Sequence, residues 1–357
     1  MEKPPQQLRC LIAAGGTAGH VLPALAVAQA LTTRGVHVTF AGSPDRVEAR
    51  LVPDAGYELD TFSISGLPRK PTPALARALL RGGRAPLACR KILRRRRPDV
   101  VLGAGGFVAG PMVLAAATMR IPAALTEADA HLGLANRLAA PYAKRVFLAL
   151  PIESRTGEKY RIVGRPIPER SRPVLQDEAR ELFDLPPDAR VLVVFGALAG
   201  ARALNEFVVE TFGERGPAIL HITGRRDFEL VRRRVRRHDY RVVPETEHFG
   251  AALSAADLVL ARSGGTVWEV AAAARPAIFV PYPFATGDHQ AKNAEHFVRA
   301  GGAIMVRELD LDDVPDLVRS LLDDEPRLRR MSAAMLAAAR PNAAEEIAEE
   351  LVALASA

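Results

Sequence analysis

The densest chemistry in this chain lies in Gly15, Gly16, Thr17, Ala18, Gly19 and His20. Glycines let a ligand come close to the backbone, and a helix start beside them adds free N–H groups and a partial positive charge. Such a turn suits a diphosphate. A histidine at its lip titrates near neutrality and can act as a base or touch a phosphate. The same residues also fit a ligand-free strand-to-helix turn with His20 satisfied by backbone. A second constellation is Arg262-Ser-Gly-Gly-Thr-Val-Trp-Glu269. There Gly264 and Gly265 precede a helix, and Glu269 could accept from both hydroxyls of a ribose or serve only as helix-start charge. Asp288, His289 and Gln290 offer partners for sugar hydroxyls, and Asp288 also fits a simple N-cap.

Strands and helices must hold these groups. The apolar run 10–14 reads as a buried strand. Leu22, Leu25, Ala26, Ala30 and Leu31 follow at helical spacing, with Pro23 expected near the helix start and Gly35 at its stop. Strands at 36–41, 57–64, 99–102, 122–126 and 145–148 alternate with helices, and a second glycine turn, 103–110, follows the strand at 99–102. The rhythm breaks over 151–187. It restarts at 190–195, with a third glycine turn at 196–202 and strands at 218–223, 240–243, 257–261 and 277–280. The pattern predicts an α/β chain of two parallel-sheet domains, 1–163 and 164–340, facing a cleft. The helix from Ala343 is expected to pack back on the first domain. A dinucleotide fingerprint would need glycine where Thr17 and His20 stand.

Composition narrows the partners. At 357 residues, 48% hydrophobic and 25% charged, two ordinary globular domains are expected. Aromatics at 5% argue against nucleic-acid recognition by stacking, and no nucleic-acid-binding motif is present. The net charge of +7 favours anionic partners. Positive charge is densest between Arg69 and Arg97, interleaved with Leu67, Leu75, Leu79, Leu80 and Leu87. That spacing fits a helix on an anionic membrane surface, and equally a solvated face. Two cysteines indicate neither a disulfide framework nor a metal site, and Asp310 and Asp312 read as helix caps. No apolar run reaches the roughly 18 residues of a spanning helix, and the first residues lack a signal-peptide core.

In order and spacing, GGTAGHVLPALAVAQAL, DRVEARLVP, ISGL, RPDVVLGAGGFVAGP, GARALN, ARSGGTVWE and GDHQAKNA resemble the MurG family of bacterial glycosyltransferases over nearly the whole chain. The resemblance implies a GT-B fold of two Rossmann-like domains. It implies inverting transfer of N-acetylglucosamine from UDP-N-acetylglucosamine to the muramoyl 4-hydroxyl of undecaprenyl-diphospho-muramoylpentapeptide (lipid I), giving lipid II. The enzyme would need no metal or other cofactor. It would work peripherally at the cytoplasmic face of the bacterial plasma membrane, bound through the 67–97 region.

By the same resemblance His20 is the candidate base, and Gly16, Gly105, Gly106 and Phe107 hold the acceptor. Thr17, Ala18, Gly19 and Asp129 lie towards the donor sugar, Thr246 meets uracil, and Arg262, Ser263, Gly264, Gly265, Thr266 and Glu269 hold UDP. His289 and Gln290 meet the transferred sugar, and Leu198 stands at a further donor position. The chain departs from the family pattern at Ala18, Asp129, Pro168 and Leu198, and the RSGGTVWE turn is one residue short. Three other readings stay open: another UDP-sugar-dependent glycolipid glycosyltransferase, a UDP-sugar 2-epimerase, or a non-catalytic UDP-sugar binder.

Overall fold

The structure, a computed structural model, describes residues 7–64, 73–196 and 201–356. Its inner strands, such as Val191–Phe195 and Leu258–Ala261, are runs of consecutive apolar residues buried on both faces, as parallel sheets covered by helices require. The chain divides into two units. One runs to Pro168 and takes up the segment from Pro341; the other is Glu169–Arg340.

In the first unit the strands are β1 (Arg9–Ala13), β2 (His37–Gly42), β3 (Glu58–Thr61), β4 (Val100–Gly103), β5 (Ala123–Glu127), β6 (Arg145–Leu148) and β7 (Tyr160–Ile162). They form one parallel sheet in the order β3-β2-β1-β4-β5-β6-β7. Ile12 of β1 lies between Phe40 and Leu102. The order reverses between β1 and β4, which opens a crevice at their carboxyl ends. β7 falls in the stretch where the sequence rhythm breaks, because Arg161 and Ile162 are exposed and leave no apolar run.

The helices are α1 (Ala18–Thr33), α2 (Glu48–Asp54), α3 (Pro73–Arg96), α4 (Ala109–Thr118) and α5 (Leu134–Ala139). Cys10 and Ile12 face the core shared with α1, whereas Leu11 and Ala13 face the core shared with α3 and α4, the two-residue alternation of a strand. α1 is buried nearly all round. Val21, Ala24, Val27 and Leu31 share one core with Ile347, Ala348 and Leu351 of the C-terminal helix Ala343–Ser356. The placement of Pro23 is corrected: α1 begins at Ala18, so Pro23 is its sixth residue and lies inside the hydrogen-bonded helix.

α3 turns Ala85, Cys89, Ile92 and Leu93 into the core. Two of its basic residues are committed within the unit. Arg96 binds Asp60 at 2.7 and 3.0 Å and Glu58 at 2.6 Å, and Arg95 also binds Asp60. Leu67, Arg69 and Lys70 lie outside the described residues, as do the side chains of Leu75, Leu79 and Leu80. Leu87 is 69% exposed. Among the described residues no helix is long and apolar enough to cross a membrane.

The second unit holds β8 (Val191–Phe195), β9 (Ala218–Ile222), β10 (Tyr240–Val243), β11 (Leu258–Ala261), β12 (Ala277–Phe279) and β13 (Ala303–Met305). These strands are parallel in the order β10-β9-β8-β11-β12-β13, with the reversal between β8 and β11. β13, which the sequence pattern does not mark, is an edge strand whose burial falls off from Ala303 to Met305. Asp310 does not cap a helix. It binds Arg307 at 2.6 and 3.2 Å, and Asp313 precedes the helix Val314–Asp323.

Candidate active site

Two glycine turns meet at the reversal point of the first sheet, one after β1 and one after β4. Gly106 has φ +73°, and a Cβ there would collide with the Gly15 carbonyl. Gly105 has φ +101°, and a Cβ there would lie 2.5 Å from His20 Cδ2. The second turn therefore needs glycine both for its left-handed backbone and for its approach to the first.

His20 is the third residue of α1. Thr17 stands at the N-cap, but its side chain makes no capping bond; its Oγ1 lies 3.1 Å from His20 Nδ1. Burial holds the imidazole below its ordinary pKa, and the Arg165 guanidinium pushes the same way. Asp129, a hydrogen bond with the Gly15 backbone, and Glu48 oppose this. The balance favours a neutral ring.

Behind the first turn Glu48 is fully buried. Its carboxylate accepts the Gly16 N–H at 3.0 Å and the Ser43 N–H at 3.0 Å. The Gly16 N–H thus points at Glu48. Sequence reasoning missed Glu48, since nothing in DRVEARLVP separates a buried glutamate from a helical surface one.

A cavity of about 700 Å³ opens from these turns within the first unit. Gly19, His20, Gly105, Gly106, Phe107 and Asp129 line it together with Leu114, Leu134 and Phe147. Ala18 opens α1 beside it. The loop carrying Asp129 is shaped by Glu127, which was also missed. One carboxylate oxygen accepts from Ala128 N at 3.0 Å and Asp129 N at 3.2 Å; the other accepts from Gly133 N and Asn136 Nδ2, each at 2.9 Å. Burial pushes the Glu127 carboxyl up while these donors hold it down.

In the second unit Arg262 to Glu269 follow β11, His289 and Gln290 follow β12, and Thr246 follows β10. Arg262 is buried, and its guanidinium binds the Val280 and Pro281 carbonyls, each at 3.2 Å, and Glu308. These bonds tie the turn after β11 to the chain leaving β12. Ser263 is buried, with its carbonyl accepting from Asn293 Nδ2 at 3.3 Å. Gly264 has open space where a side chain would stand, and Gly265 and Thr266 lead into the helix Val267–Ala272. Glu269 is buried and accepts from the Ser171 hydroxyl at 3.2 Å.

His289 opens the helix His289–Arg299, and Gln290 Oε1 accepts from the Tyr282 N–H at 2.9 Å. Asp288 occupies the N-cap position with left-handed φ 54°, but its side chain makes no capping bond, which corrects the simple-cap reading. Thr246 Oγ1 accepts from the His248 N–H at 3.0 Å. Leu198 lies outside the described residues.

Residues 10–148 match the glycosyltransferase family 28 N-terminal domain, and residues 191–350 match the glycosyltransferase family 28 C-terminal domain. The chain is 45% identical over 335 residues to the UDP-N-acetylglucosamine–N-acetylmuramyl-(pentapeptide) pyrophosphoryl-undecaprenol N-acetylglucosamine transferase of Acidithiobacillus ferrooxidans, covering 91% of this chain and 92% of that protein. It is 40% identical to the protein of the same description from Mycolicibacterium paratuberculosis, over 97% and 88% of the two chains. The crystal structure of Acinetobacter baumannii MurG superposes with a TM-score of 0.78 at 28% identity, covering 97% of this chain and 99% of that one.

Proposed function

This chain belongs to the MurG transferases of glycosyltransferase family 28, and from that premise we propose that its first unit carries the acceptor and the base, and its second the nucleotide. The enzyme transfers N-acetylglucosamine from UDP-N-acetylglucosamine to lipid I, giving lipid II. The readings as an epimerase or a non-catalytic binder give way to it.

The observation that carries the site reading is the placement of His20: a ring held by Thr17, biased to neutrality, between two glycine turns at a sheet reversal. The muramoyl 4-hydroxyl loses its proton as its oxygen bonds the sugar C1, and UDP leaves with the electron pair of the broken C1–O bond. The His20 ring, its Nδ1 3.1 Å from the Thr17 hydroxyl, takes that proton. Attack from the face opposite UDP inverts the anomeric carbon. The acceptor diphosphate sits against Gly105, Gly106 and Phe107, with Gly16 beside them. Thr17, Ala18, Gly19 and Asp129 face the donor sugar.

In the second unit Gly264, Gly265 and Thr266 receive the UDP diphosphate, held by the turn that Arg262 and Ser263 fix. Glu269 accepts from the ribose, Thr246 meets uracil through its backbone, and His289 and Gln290 meet the sugar. The acceptor's undecaprenol tail resides in a bilayer, which supports peripheral work at a membrane surface, and we place the enzyme on the cytoplasmic face. The exposure of Leu87, Lys91 and Arg94 on α3 supports contact there.

The test is incubation with labelled UDP-N-acetylglucosamine and a lipid I analogue. Wild type releases UDP and transfers label in equal amounts. His20→Ala lowers the single-turnover rate by about 10²–10⁴-fold with donor Kd unchanged. Loss of donor binding with the rate intact at saturation would make His20 a phosphate ligand.

A further inference from the structure

We propose that Arg165 is a positioning residue for His20: its guanidinium replaces the helical donor that Pro23 denies to the Gly19 carbonyl, and so fixes the first turn of α1 with a positive charge beside the ring. This rests on the reading of His20 as the base.

In an α-helix the N–H of residue i+4 binds the carbonyl of residue i. Four residues after Gly19 comes Pro23, which has no N–H and whose ring crowds that carbonyl. Left alone, the carbonyl next to His20 would lack its helical bond. Arg165, 146 residues away, donates to it at 2.6 Å. The chain presents Arg165 firmly. Gly164 before it has φ +84°, and Pro166 after it restricts it to extended backbone. Arg165 also lines the cavity with Gly19 and His20.

The second consequence is electrostatic. The groups facing the ring are the Arg165 guanidinium, the Asp129 and Glu48 carboxylates, the Thr17 hydroxyl and the Gly15 backbone. The two carboxylates favour the imidazolium. Arg165 is the cation among these groups and opposes it, which keeps the ring able to accept a proton.

The two effects separate by mutation in the full chain. Arg165→Met removes both. Adding Pro23→Ala restores a backbone donor for Gly19 and leaves the charge absent. Arg165→Lys keeps a charge. Three quantities are read: Tm, the His20 imidazole titration by NMR (assigned by its loss in His20→Gln), and the pH profile of transfer. Arg165→Met should lower Tm by roughly 2–4 °C and move the His20 titration to higher pH. The rate on the acid side should then fall several-fold. The double variant should regain Tm yet keep the displaced titration, and Arg165→Lys should titrate near wild type. An unmoved His20 titration in Arg165→Met, or no recovery of Tm in the double variant, overturns the proposal. A displaced titration with an unmoved rate profile supports the hold of Arg165 on His20 and overturns the base role instead.

Discussion

The Glu48 carboxylate accepts the Gly16 N–H at 3.0 Å from a fully buried position under the first glycine turn. Its other oxygen takes the Ser43 N–H, also at 3.0 Å. The buried Ser43 N–H and the partly buried Gly16 N–H therefore depend on one side chain, and the first glycine turn is shaped from behind. Glu48→Gln presents an amide N–H₂ to one of those donors. Leaving a buried donor unpaired costs about 1–3 kcal/mol. Denaturant unfolding should show that loss, and the Gly16 amide should exchange faster with solvent. Unchanged stability and exchange would mean the turn holds itself.

Gly106→Ala puts a side chain on a backbone with φ +73° and drives it into the Gly15 carbonyl. The backbone conformation alone costs on the order of 1–3 kcal/mol. Acceptor transfer should collapse while donor binding, assigned to the other unit, stays at the wild-type Kd. Calorimetry with UDP and a transfer assay decide this. A Gly106→Ala protein with normal acceptor KM would remove the second turn from the acceptor site.

Glu269 should set donor affinity rather than rate, because its ribose bonds form equally in ground and transition states. Hydrogen bonds to a charged group are worth about 1.5–3 kcal/mol each, so Glu269→Ala should weaken donor binding at least roughly tenfold, with kcat at saturation little changed. The Ser171 hydroxyl also binds this carboxylate, at 3.2 Å. Ser171→Ala therefore serves as the control and should retain wild-type donor Kd or better. Wild-type affinity in Glu269→Ala would make the carboxylate a structural brace, as for Ser171, and not a ribose acceptor.

His221 makes the second unit acid-sensitive. It is fully buried, with Nδ1 2.8 Å from the Tyr240 hydroxyl and Nε2 3.0 Å from Asn205 Oδ1. Burial pushes its pKa down from 6.5 to about 3. The unfolded chain therefore binds a proton below pH 6.5 that the folded chain refuses until about pH 3. Stability falls with decreasing pH across that window, by about 1.4 kcal/mol per pH unit from this group at most. His221→Gln should flatten the acid slope of Tm for this unit. An unchanged slope would place the acid sensitivity elsewhere.

The sequence by itself determined the alternation of strand and helix and the glycine turns after β1, β4 and β11. Consecutive apolar residues such as Leu192, Val193 and Val194 have no stable place except a strand covered on both faces. The placement of His20 and Glu269 just inside a helix was legible for a related reason: each closely follows a strand and a glycine turn. The tertiary structure decided what reaches these segments from far along the chain. Glu48 lies 32 residues from Gly16 and Arg165 lies 146 from Gly19, and no local period records either bond. Pro23 is the clearest case. Read locally, a proline belongs at a helix start; in the fold it sits mid-helix, where another strand's exit loop supplies the donor it lacks. β7 and β13 were equally unreadable: both are edge strands, each placed by the one neighbour it pairs with.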